Sequence, residues 1–148
     1  MATLDPDPPA AAARLAATLA CTLEAVTGWA EEVQAFCARH GVAARAATQA
    51  ALVFEEVLTN VVRHGGAAGL TLEASLGITA DGLRGEVVDD GPAFDPLEVA
   101  RPDLEATLDE RAVGGLGIHL ARTLTDHLAY ERREGRNRLS FVKRLAEG

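Results

Sequence analysis

The chain has 148 residues, 48% of them hydrophobic and 24% charged, the composition of one globular domain with a core of its own. Its 22 acidic against 14 basic side chains leave a net charge of −8, which argues against general binding to nucleic acid or anionic membrane, since both need a basic field. Cys21 and Cys37 have neither CxxC spacing nor neighbouring metal ligands, no run reaches the roughly 18 apolar residues that span a bilayer, and the first residues lack a basic signal-peptide start, so the expectation is a reduced, soluble, cytoplasmic protein.

Residues 1–12 are rich in Asp, Pro and Ala and are expected to form a disordered tail ahead of one domain, 13–148. Arg14–Thr22 is compatible with helix, Ala being the best helix former, but Leu15, Ala17, Leu19 and Cys21 alternate with Ala16, Thr18 and Ala20, and we read an edge strand. Thr22–His40 reads as a helix capped by Thr22 and stopped by Gly41, with Val26, Trp29, Ala30, Val33, Phe36 and Cys37 as its core stripe. Ala43–His64 is a second helix, followed by Gly65-Gly66. Leu70–Thr79 alternates as a strand, Asp81-Gly82 signals a hairpin turn, and Leu83–Asp89 is the partner strand. A long acidic connection, Ala93–Val113, leads to Gly114–Gly117 and a helix over Leu116–His127. Leu128–Arg133 and Asn137–Leu145 close the chain as a hairpin turned at Glu134-Gly135-Arg136. Strands that come in hairpins, rather than alternating with helices, imply a two-layer α/β sandwich: a mixed, mostly antiparallel sheet on about three helices.

Three stretches carry the chemistry. In the second helix Glu56, Asn60 and His64 are spaced i, i+4, i+8 and share one face among apolar neighbours. Taken alone this is the solvated stripe of an amphipathic helix. The Asn60 amide oxygen nevertheless suits a hard cation such as Mg²⁺, and Glu56, one turn earlier, is spaced to take a proton from a group attacking a phosphate. Asp89 ends a strand and is followed by Asp90-Gly91-Pro92. A carboxylate there can accept from an exocyclic amine, while glycine lets a flat base approach the backbone. Gly114-Gly115-Leu116-Gly117 opens a helix, where free N–H groups favour phosphate.

In this order the stretches resemble the GHKL ATPase superfamily, and within it the small anti-sigma-factor serine kinases. Glu56-Val57-Leu58-Thr59-Asn60 with His64-Gly65 is similar to the N-box, Asp89–Pro96 to the G1 box, and Gly114–Ile118 to the G2 box. Gly135–Leu139 also resembles the family's last hairpin, and the likeness runs from about Leu15 to Leu145. It implies the Bergerat-type fold, ATP and Mg²⁺ as cofactors, Glu56 as catalytic base and Asn60 as the Mg²⁺ ligand. Asp89 would bind the adenine amine with Gly91 making room, Gly115 and Gly117 would meet the phosphates, and Leu97–Val113 would be the lid. The expected function is that of a protein serine kinase and anti-sigma factor, which sequesters a sigma factor and phosphorylates a serine of a STAS-domain anti-anti-sigma antagonist. The alternative is an ATP-binding interaction module with negligible phosphotransfer. A homodimer is also expected, with the Thr22–His40 helix and the sheet edge both open as its interface. A sensor histidine kinase would need a phospho-accepting helical hairpin, for which the chain before Leu52 has little room. Ala93 stands where many relatives have a second G1 glycine, and the sequence leaves the parts of His64, Thr123 and Ser140 open.

Overall fold

The computed structural model describes residues 11–64, 70–99 and 115–145. Residues 1–10 of the expected tail 1–12, Gly65-Gly66 and almost the whole expected lid lie outside them, whereas the Ala12 N–H already donates to the Ile78 carbonyl at 2.7 Å. The elements are β1 (Ala13–Leu19), α1 (Leu23–Arg39), α2 (Ala44–His64), β2 (Leu72–Thr79), β3 (Gly82–Asp89), a 3-10 turn (Pro96–Val99), α3 (Gly115–Leu124), β4 (His127–Arg133) and β5 (Arg136–Lys143). The strands form one five-stranded sheet in the order β1-β2-β3-β5-β4. Every ladder in it is antiparallel. The two-layer α/β architecture read from the hairpin pattern is therefore present, with a sheet that is antiparallel throughout the described residues.

Alternation decides which side of the sheet meets the helices. Leu72, Ala74 and Leu76 of β2, Leu83 and Val87 of β3, and Leu139 and Phe141 of β5 are buried in one core with the helices. β1 completes that face with half-buried Ala13, Leu15, Ala17 and Leu19, as its alternation implied. α2 packs between α1 and α3 and lies against β3. The α1 stripe is buried at every expected position: Val26, Trp29, Ala30, Val33, Phe36 and Cys37. Trp29 stacks edge-on against Phe54 of α2, with ring centroids 5.4 Å apart. Phe54 in turn meets Phe141 of β5 at 5.1 Å. Gly85 leaves the space for that ring: a Cβ there would lie 2.2 Å from Phe141.

Several boundaries move from their expected places; β1, expected over Arg14–Thr22, ends at Leu19, β2 starts at Leu72 rather than Leu70, and β5 ends at Lys143 rather than Leu145. The first hairpin turns at Ala80-Asp81, with Gly82 already paired to Thr79. The Thr79 hydroxyl accepts from the Asp81 N–H at 3.1 Å, which pulls the turn one residue forward. The last hairpin turns on Glu134-Gly135, both at positive φ, so Arg136 joins the strand. The third helix ends at Leu124 and not at His127. The Asp126 N–H donates to the Val142 carbonyl at 2.8 Å and its carboxylate accepts from the Arg144 N–H at 2.7 Å, so the sheet captures the chain one turn early.

Candidate functional site

The candidate site lies where α2 crosses the ends of β3 and β5. Asp89 is the last residue of β3 and shares the helix-facing side with Val87. The pleat therefore turns its carboxylate inward, to 5% exposure. Asp90, one residue on, points the other way and accepts from the Thr71 N–H at 3.0 Å. On α2, Asn60 is 6% exposed, so the polar stripe is not a solvated face at this position. Its Nδ2 donates back to the Glu56 carbonyl at 3.1 Å. A narrow cleft of about 20 Å³ lies between these residues, room for about one water. Val57, Asn60 and Val61 of α2 form one wall. Val87, Asp89, Asn137 and Leu139 of the sheet form the floor, closed by Phe94, Pro96 and Tyr130.

Asp89 Oδ1 accepts from the Gly91 N–H and from Asn137 Nδ2, each at 2.9 Å. Asn137 Nδ2 also donates to the Pro92 carbonyl at 2.8 Å, and its Oδ1 accepts from the Phe94 N–H at 3.2 Å and from the Tyr130 hydroxyl. Arg132 donates to the Gly91 carbonyl at 2.7 Å and Arg122 of α3 to the Leu97 carbonyl at 2.9 Å, so residues 91–97 are fastened from both sides. Burial pushes the Tyr130 phenol up, and the Asp95 and Asp89 charges push it further, against a hydrogen bond with Phe94 and the charge of Arg132. The phenol thus stays a donor to Asn137 at neutral pH.

Glu56 stands one turn before Asn60, half-buried, and is not among the residues that line the cleft. Burial raises its carboxyl above the ordinary range, the neighbouring Glu55 adds to this, and Arg63 opposes it. Gly91 is buried beside Asp89, and Gly115 and Gly117 lie in the first turn of α3. The His64 side chain lies outside the described residues. Ser140 alternates with buried Leu139 and Phe141 and so lies on the opposite sheet face from Asp89. Thr123 is exposed and donates to the His119 carbonyl at 3.0 Å.

Asn137, Tyr130 and Arg132 were not legible as site residues. Asn137 reaches Asp89 only through the β3–β5 register, 48 residues away in sequence. The one cue was a polar residue at a position where the closing strand should be buried.

Asp89 and Asn60 are buried side chains whose hydrogen bonds among the described residues run through Asp89 Oδ1 and Asn60 Nδ2, which leaves Asp89 Oδ2 and Asn60 Oδ1 as acceptors for a ligand. A ligand that brings an N–H donor and a hard cation would satisfy them, and the donor set fits a nucleotide with Mg²⁺. No helix among the described residues is long and apolar enough to cross a membrane.

The chain resembles known proteins in sequence and in fold. The serine/threonine-protein kinase BtrW of Bordetella bronchiseptica is 34% identical over 99 residues, 64% of this chain and 68% of that protein. The solved structure of the RsbU and RsbW domains of Rv1364c from Mycobacterium tuberculosis superposes with a TM-score of 0.67 at 18% identity. The likeness covers 92% of this chain but 33% of that one, so the chain spans a third of its length and shares the fold. The family model for the histidine kinase-like ATPase domain matches residues 19–143, which take in the helix of Asn60, the strand end of Asp89 and the whole cleft between them. The chain belongs to the histidine kinase-like ATPase domain family.

Proposed function

We propose that this chain is an ATP-binding protein serine kinase and cytoplasmic anti-sigma regulator, with residues 13–148 as the kinase domain. It would sequester a sigma factor and phosphorylate a serine of a STAS-domain anti-anti-sigma antagonist. The observation that carries the reading is that buried Asp89 and Asn60 line one apolar cleft, and that the hydrogen bonds described for them use neither Asp89 Oδ2 nor Asn60 Oδ1. The name of the Bordetella relative, a serine/threonine-protein kinase, supports the reaction class.

Each residue then has a role. Asp89 Oδ2 accepts from the exocyclic amine of the base, and buried Gly91 lets the ring pass close to the backbone. Asn60 Oδ1 would be the side-chain oxygen that holds Mg²⁺. Gly115 and Gly117 offer N–H groups at the start of α3 to phosphate oxygens. Bound Mg-ATP supplies the transferable phosphoryl group with its charge partly neutralised. Glu56 accepts the proton of the attacking serine hydroxyl, and its raised carboxyl is a stronger base than an exposed glutamate.

Calorimetric titration with ATP, with and without Mg²⁺, tests the pocket. Wild type should bind in a magnesium-dependent manner and Asp89→Asn should not. Absence of binding in the wild type would overturn the reading. Labelled ATP with a STAS-domain protein tests the transfer: Glu56→Ala should bind nucleotide yet leave the partner unlabelled. Binding without any labelling by wild type would instead make the chain an ATP-dependent interaction module.

A further inference from the structure

We infer that Asn137 is a positioning residue that holds Asp89 with one oxygen committed to the cleft, and thereby sets the preference for a base bearing an exocyclic amine. The inference rests on the nucleotide reading above and extends it to a residue on a different strand.

Asn137 is 5% exposed and lies directly opposite Asp89 in the β3–β5 register. Its amide is fully used. Nδ2 gives one hydrogen to Asp89 Oδ1 and one to the Pro92 carbonyl, while Oδ1 takes the Phe94 N–H and the Tyr130 O–H. A carbonyl can only accept and a backbone N–H can only donate, so these partners fix which end of the amide is which. Asp89 Oδ1 is thereby held by two donors, Asn137 Nδ2 and the Gly91 N–H. The carboxylate cannot turn over without breaking both, and Oδ2 is the oxygen left for a ligand.

An adenine-type amine gives Oδ2 a hydrogen. A hypoxanthine ring presents an oxygen to it instead, and two acceptors then face each other in a buried site. A site built around a buried hydrogen bond discriminates strongly against a ligand that cannot complete it. Discrimination of this kind needs a carboxylate held in one orientation, and the Asn137 amide holds it. The same amide ties down Pro92 and Phe94, so the roof of the cleft and its acceptor are set by one side chain.

The test is the ratio of affinities for ATP and ITP, which differ in this amine, measured by calorimetry on the full chain. Wild type should prefer ATP by about tenfold or more. Asn137→Ala should bring the ratio to within about threefold by weakening ATP more than ITP. An equal loss for both nucleotides would mean a purely structural role and would overturn the inference, as would an unchanged ratio. Should Asn137→Ala fail to fold, Tyr130→Phe removes a single donor to the same amide and should lower the ratio in the same direction; an unchanged ratio there would overturn the inference. Wild type that binds ATP and ITP equally also overturns it while leaving the pocket standing, whereas wild type that binds neither overturns the nucleotide reading itself.

Discussion

Glu56, the proposed base, is a carboxyl whose ionisation costs the fold stability. Burial, joined by Glu55, raises its proton affinity in the folded chain above that of an ordinary glutamate, whose value is 4.5. Below that pH both folded and unfolded chains hold the proton, and nothing is lost. As pH climbs through the ordinary range and then through the raised folded value, the unfolded chain releases its proton more readily, and stability falls. Glu56→Gln removes this liability. The variant should melt higher than wild type at pH 7, and the gap should close below about pH 4. A difference in melting temperature that stays constant across that range would rule out the ionisation as its source. Local spacing and a strand end made Glu56, Asn60 and Asp89 candidates in the sequence, and the family resemblance supplied their expected roles. Neither announced Asn137, whose partners are set by pairing between distant strands.

The helices and strands were mostly legible because their periodicities are clean. In α1 the six expected core positions are the six buried ones. Thr22 does cap this helix: its hydroxyl accepts from the Ala25 N–H at 3.1 Å, with Glu24 in the first turn. Thr22→Ala should therefore destabilise the protein by about 1 kcal/mol, read as a lower urea midpoint with an unchanged slope. A changed slope would point to something beyond loss of the cap. The ends of elements were less legible. Leu116–His127 has helical spacing throughout, yet two hydrogen bonds from Asp126 to β5 and the segment after it outcompete the last helical turn. Local pattern cannot anticipate a bond to a strand that arrives 16 residues later in the chain.

For the molecule as a whole, the cleft is the seam between layers. Its walls come from α2, β3, β4, β5 and the 91–96 segment, so a ligand there touches the helical layer and the sheet together. The cleft has room for about a water in this structure. A base must therefore spread the seam as it enters and then bridge it. On the proposed reading Mg-ATP at a hundredfold excess over its Kd should stabilise the whole fold by about 2.7 kcal/mol, a rise in Tm of several degrees. The rise should vanish in Asp89→Asn. A comparable rise in that variant would move the nucleotide elsewhere on the protein. The two-layer plan was readable from hairpins that never alternate with helices, whereas the strand order, with β5 between β3 and β4, follows from pairing and not from sequence order.

The edge-to-face series Trp29–Phe54–Phe141 runs from α1 through α2 to the sheet. Trp29 is the one tryptophan of the chain, and it is 1% exposed. The protein therefore carries a single indole, sealed from solvent, where α1 packs on α2. Its emission is a direct optical reading of whether the helical layer is seated on the sheet. Blue-shifted light reports an intact stack, and a red shift reports that water has reached the indole.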